Sequence, residues 1–124
     1  MKILLAEDDI NISTIAKMTL EQMGKHEVVH VDNGEDALNK ALNEKFDVIL
    51  LDEMMPKMNG LKVCEEYLKQ CQEQIPVIFL SAKSQTDDIK KFTELGNGFI
   101  AKPFDPITLC QQIDDILEKA GTQS

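Results

Sequence analysis

The sequence predicts a doubly wound α/β domain built on a parallel sheet, and three observations predict it. Short apolar runs at 2–6, 46–51, 76–80 and 98–101 lack helical periodicity and are rich in Ile, Leu and Val. That is the pattern of strands buried on both faces. Stretches with helical spacing of apolar residues alternate with these runs across short connections, with no linker, repeat or low-complexity tract. Each of the four runs also ends in polar chemistry. The first leads into Glu7, Asp8 and Asp9, the second into Asp52, the third into Ser81 and the fourth into Lys102. Ligands bind at the carboxyl ends of strands in open parallel sheets. Acids, a hydroxyl and a lysine are therefore expected to meet at one sheet edge.

The elements follow in order. After the first strand, Ile12, Ile15, Ala16, Leu20 and Met23 are spaced for one apolar helix face, and Gly24 is a natural stop. A second strand is centred on Val28 and Val29. His26 and His30 flank it as ordinary strand-end residues, since nothing around them supplies a helical site for phosphohistidine chemistry. The second helix begins near Asn33 and Gly34 and carries a shallow face of Ala37, Leu38, Ala41 and Leu42. The third, behind Asp52, uses Leu61, Cys64, Leu68 and Cys71. A fourth helix is expected from about Thr86 to Leu95, anchored only by Ile89, Phe92 and Leu95, and a helix so lightly held shifts at low cost. The last opens with Asp105 as cap and Pro106 in its first turn, and buries Leu109, Ile113, Ile116, Leu117 and Ala120. The domain is expected to span 1–120, with 121–124 as a loose tail.

Composition narrows the function classes. A chain of 124 residues is one domain, long enough for a five-strand core. It has no signal peptide and no apolar run near membrane-spanning length, so a soluble cytoplasmic protein without membrane contact is the expectation. The net charge of -9 comes from 22 acids against 13 lysines, with no arginine. Such a chain is poorly suited to grip nucleic acid by itself. Cys64, Cys71 and Cys110 are odd in number and lack the close pairing of a zinc or redox motif, so they read as small buried hydrophobes.

Four segments in order carry a resemblance that covers the whole chain: the acidic pair Glu7-Asp8, Leu51-Asp52 with Met55-Pro56 and Gly60 behind it, Ser81-Ala82, and Lys102-Pro103-Phe104. Together they resemble the receiver domain of two-component response regulators, the CheY-like superfamily. The resemblance implies a flavodoxin-like five-stranded parallel sheet of order 2-1-3-4-5 with five flanking helices. It also implies a signalling switch, in which Asp52 accepts a phosphoryl group from a sensor histidine kinase or histidine phosphotransfer protein and the changed domain regulates a downstream protein partner. Such a domain catalyses only its own phosphorylation and dephosphorylation. Phosphoryl transfer is mostly positioning and charge neutralisation, so a carboxylate nucleophile needs a cation nearby. By resemblance that cation is Mg²⁺, with Asp8 and Asp52 as direct ligands, Glu7 acting through water, and the backbone carbonyl of Met54 completing the protein share. Lys102 and Ser81 would each meet a phosphoryl oxygen. Pro103, in the family after a cis peptide, would fix the lysine. Phe99 stands at the position of the family's switch aromatic.

Taken singly, these residues have blander readings. Acids at 7–9 suit a helix N-terminus, and Asp9 is partly that. Ser81 alone is a strand-end hydroxyl, Lys102 a solvated charge, and Phe99 a core aromatic. The sequence also departs from the family pattern. Glu53 stands where an apolar residue is usual, and adds a fourth carboxylate that strengthens cation attraction or marks a partner contact. Ser81 replaces the commoner threonine. Met54 and Lys83 hold the two variable positions beside the site, and neither orients an attacking water, so no specially fast self-dephosphorylation is expected. Three other readings stand beside the switch. A haloacid-dehalogenase-type phosphotransferase would want an aspartate where Met54 lies. A pseudo-receiver interaction module is argued against by the intact Asp8, Asp52, Ser81 and Lys102. The third is a module excised from a larger DNA-binding or enzymatic regulator, since the chain ends where a linker would begin.

Overall fold

A computed structural model describes residues 1–71, 75–81, 96–102 and 105–121 of the chain. Five strands, β1 (Lys2–Ala6), β2 (Glu27–Val31), β3 (Val48–Asp52), β4 (Val77–Ser81) and β5 (Gly98–Ala101), form one sheet. Their order is β2-β1-β3-β4-β5 and every pairing is parallel, the expected flavodoxin-like arrangement. Four helices lie among the described residues: α1 (Ile10–Gln22), α2 (Gly34–Asn43), α3 (Gly60–Gln70) and α4 (Pro106–Gly121). The fourth helix expected over 86–95, together with Lys83, Pro103, Phe104 and residues 122–124, lies outside the described residues. Gly121, the first residue of the expected tail, closes α4.

The pleat divides the strand residues between two cores. Leu4, Ala6, Ile49, Leu51, Val77 and Phe79 pack with Ala37, Ala41, Val63, Cys64 and Tyr67 of α2 and α3. Ile3, Leu5, Val48, Leu50, Ile78 and Leu80 pack with Ala16 and Leu20 of α1 and Leu109 and Ile113 of α4. Because both faces are covered, all five residues of β3 and of β4 are buried. This is why those runs read as continuous apolar segments.

Two helix faces differ from expectation. In α1 the buried residues are Ser13, Ala16, Thr19 and Leu20, whereas Ile15 and Met23 are exposed. The Ser13 hydroxyl is satisfied by donating to the Ile10 carbonyl at 3.2 Å. Beyond the helix the left-handed residue is Lys25 (φ 55°), not Gly24. In α3, Val63 and Tyr67 join Cys64 as buried residues, while Leu61 and Leu68 are only partly covered and Cys71 lies just past the helix end. The Tyr67 hydroxyl accepts a hydrogen bond from the Ile75 N–H at 3.1 Å, tying α3 to the approach of β4. Cys64, Cys71 and Cys110 form no disulfide among the described residues, and burial pushes the Cys64 thiol up to about 11.

Candidate functional site

Parallel pairing sets the carboxyl ends of β1, β3, β4 and β5 side by side. Ala6 pairs with Leu51, Asp52 with Leu80, and Ser81 with Ala101, so the residues that follow or end these strands converge. Glu7, Asp8, Asp9, Asp52, Glu53, Met54, Ser81 and Lys102 line one open cleft of about 290 Å³ together with Ile12. Of the residues expected to form the site, only Phe99 sits apart. Its half-buried ring packs against the core on the α2 and α3 side, opposite Phe79 in the register.

The surroundings hold these groups in place. The Glu7 N–H donates to the Val31 carbonyl at 3.0 Å, and the Asp9 N–H donates to Glu7 Oε2 at 3.1 Å. Asp9 also caps α1, its Oδ1 accepting from the N–H groups of Asn11 and Ile12, so its part is that of a helix cap. The loop after Asp52 is closed by the Glu53 N–H on the Leu80 carbonyl (3.1 Å) and the Gly60 N–H on the Glu53 carbonyl (2.8 Å). Two glycines permit this loop. A Cβ on Gly60 would stand 2.4 Å from the Asp52 carbonyl oxygen, and one on Gly34 would stand 1.8 Å from that of Met58. The Lys102 N–H bonds the Ser81 carbonyl at 2.8 Å, which brings the lysine to the end of β4.

Electrostatics mark the site. Glu7 is fully buried and Asp52 nearly so, while Asp8 is exposed. Lys102 Nζ bridges the two buried acids, 3.0 Å from Glu7 Oε1 and 2.9 Å from Asp52 Oδ1. The Met54 N–H donates to the same Asp52 oxygen at 3.3 Å. Burial, and then the Glu7 carboxyl, raise Asp52 above the usual carboxylate range against the pull of Lys102. Burial and the neighbouring Asp52 raise Asp8 as well. Burial opposes the charge of Lys102, yet its bonds to Asp52 and Glu7 prevail and hold it above the usual lysine range. Oxygens of Glu7, Asp8 and Asp52 lie within 4.8 Å of one another. Three carboxylates against one ammonium leave a local excess of negative charge. Hard oxygen donors so placed fit a divalent cation such as Mg²⁺ or Ca²⁺.

Sequence reading missed two contacts. His30 Nε2 lies 2.8 Å from the Glu7 carbonyl oxygen, and because a carbonyl only accepts, that nitrogen must carry the proton. The residue read as an ordinary strand end thus braces the acidic pair. Its place one residue before the end of β2, beside Leu5 in the register, was the available signal. The other is the buried Ser81 hydroxyl, which donates to Glu53 Oε2 at 3.2 Å. No helix among the described residues is long and apolar enough to cross a membrane.

Comparison with known proteins shows the family. The family model of the response regulator receiver domain matches residues 3–114. The chain is 37% identical over 120 residues to the alkaline phosphatase synthesis transcriptional regulatory protein PhoP of Bacillus subtilis, covering 96% of this chain and 49% of that protein. It is 36% identical over 122 residues to the response regulator ArlR of Staphylococcus aureus, covering 95% of this chain and 53% of the other. The chain therefore spans about half the length of these curated relatives. Among solved structures, the Vibrio cholerae chemotaxis protein CheY4 superposes with a TM-score of 0.84 at 30% identity, covering 93% of this chain and 97% of that one. Four strand ends that deliver acids, a hydroxyl and a lysine to one cleft, and a family match over nearly the whole length, lead to one conclusion: the chain belongs to the response regulator receiver domains of two-component signalling.

Proposed function

We propose that Asp52 is the phosphoryl acceptor of this receiver domain, and that its phosphorylation drives a conformational switch read by a protein partner. The observation that carries this is the bridge from Lys102 to both Glu7 and Asp52 inside an acidic cleft. The carboxylate of Asp52 attacks the phosphorus of a donor phosphohistidine. A P–O bond forms as the P–N bond breaks, and the electron pair leaves with the imidazole. Lys102 already lies within bonding distance of Asp52 and offers its charge to a phosphoryl oxygen. Ser81, at the end of the neighbouring strand, offers its hydroxyl to another. Glu7, Asp8 and Asp52, with the Met54 carbonyl, would hold Mg²⁺, which when bound supplies the positive charge that offsets repulsion between carboxylate and phosphate. Asp8 and Asp52 would be its direct ligands and Glu7 would act through water.

The donor is a sensor histidine kinase or a histidine phosphotransfer protein, and the domain turns over no substrate beyond its own phosphoryl group. Phe99, with its ring only half-buried on β5, is the side chain we assign to the switch. The relatives are about twice as long, which supports the reading of this chain as a receiver unit of a larger regulator. Incubation with acetyl phosphate and Mg²⁺ is expected to add one phosphoryl group, and Asp52→Asn or chelation of the metal to abolish it. Unchanged labelling of Asp52→Asn would move the acceptor elsewhere.

A further inference from the structure

The contact between Ser81 and Glu53 gives the switch a restraint. The Ser81 hydroxyl is buried and its oxygen lies 3.2 Å from Glu53 Oε2, so it donates its proton to that carboxylate. A hydroxyl has one proton to give. Ser81 cannot bond Glu53 and a phosphoryl oxygen on Asp52 with the same proton, so the two acceptors compete. Glu53 is half-buried and its backbone is fixed from two sides, through its N–H on Leu80 and its carbonyl on Gly60. Its side chain is consequently aimed from a rigid loop at the end of β4. The competition is also electrical. A phosphoryl group brings nearly two negative charges next to Asp52, in a cleft that Glu53 shares.

From this geometry we infer that Glu53 is a latch on Ser81, a positioning residue that holds the hydroxyl away from the acceptor in the unphosphorylated state and is displaced when Asp52 is phosphorylated. The inference rests on the proposed roles of Asp52 and Ser81. The latch sets the poise of the switch: each phosphorylation must first break a charge-assisted hydrogen bond, which disfavours the active arrangement until the phosphoryl group is present.

The test is beryllofluoride affinity, measured by amide NMR titration in Mg²⁺ for wild type, Glu53→Ala, Ser81→Ala and the double variant, with Asp52→Asn as control. Spectra taken without the mimic establish that each variant is folded. Loss of a charge-assisted bond from the unliganded state is expected to tighten binding by about tenfold in Glu53→Ala. Glu53→Gln, which keeps an acceptor but drops the charge, should fall between. In the Ser81→Ala background, removing Glu53 should have a markedly smaller effect, because the latched hydroxyl is already gone. Equal gains in both backgrounds would make Glu53 only a repelling charge and overturn the latch while leaving the acceptor intact. Wild-type affinity in Glu53→Ala would do the same. Failure of the wild type to bind the mimic, or binding that survives in Asp52→Asn, would overturn the acceptor reading and the latch with it.

Discussion

The two ends of one sheet carry charge in opposite ways. At the amino end, Lys2 Nζ meets Glu44 Oε1 at 3.2 Å with both side chains 32% exposed, and Lys40 meets the same glutamate at 2.7 Å. The Lys2 N–H also bonds Asp47 Oδ2 at 2.7 Å, and its ammonium lies 5.0 Å from the centre of the Phe46 ring. At the carboxyl end, Lys102 is 13% exposed and its two partners, Glu7 and Asp52, are 0% and 4% exposed. The first end is balanced and bathed in solvent, so its pairs are weak and screened. The second is buried and short of positive charge. Charged side chains at strand ends are therefore not enough to mark a site; burial combined with imbalance is what sets this edge apart.

The strongest way to break that contrast is to remove one lysine from each end. Lys102→Met leaves Glu7 and Asp52 buried without their cation, and is expected to cost about 3 kcal/mol in urea unfolding at neutral pH without divalent metal. Lys2→Met removes a solvent-screened pair and should cost less than about 1 kcal/mol. Equal losses would mean that the carboxyl edge is as well solvated as the amino edge.

The same contrast explains what could be read from the sequence. The strands and the convergence of Glu7, Asp8, Asp52, Ser81 and Lys102 were legible because buried parallel strands are uniformly apolar, so a polar residue at their end stands out. The seating of α1 was legible only in part. Its apolar spacing found Ala16 and Leu20, which are buried, but it also nominated Ile15 and Met23, which are exposed, and passed over the buried Ser13 and Thr19, because hydropathy does not flag small polar side chains on a covered face. The Ser81 bond to Glu53 and the His30 brace on Glu7 were also hidden, because each depends on which side chains the loops turn toward one another across the strand ends. Spacing along a chain carries no record of that.

A smaller effect sharpens the imbalance at the carboxyl edge. Burial and Glu7 raise the pKa of Asp52 above its ordinary value of 3.8, so the folded state holds that proton more tightly than the unfolded chain. Stability from this group is therefore complete below pH 3.8 and is lost as pH rises through the folded pKa. Asp52→Asn abolishes the loss. In chelator the variant should be more stable than wild type at neutral pH by on the order of 1 kcal/mol, with the gap closing as the solution is acidified below the ordinary carboxylate range. Added Mg²⁺ should narrow the neutral gap, since it stabilises the intact acid set more than the variant. A gap of constant size from acid to neutral pH would show that the amide packs better for reasons unrelated to charge.

The smallest effect belongs to the amino edge. Hydrogen bonds from Lys40, and then from Lys2, hold the Glu44 carboxyl below its ordinary value of 4.5. The sign is opposite to that of Asp52: this group's stabilisation is present above pH 4.5 and is lost as pH falls through the folded pKa. Glu44 is solvated, however, so water and salt already do most of what its lysines do. Glu44→Gln should move the urea midpoint less than either change at the carboxyl edge, and about 1 M salt, with a screening length near 3 Å, should erase the difference. If the shift instead survives in high salt or rivals that of Lys102→Met, the amino edge holds a buried ion pair in all but exposure, and the difference between the two ends must be sought in imbalance alone.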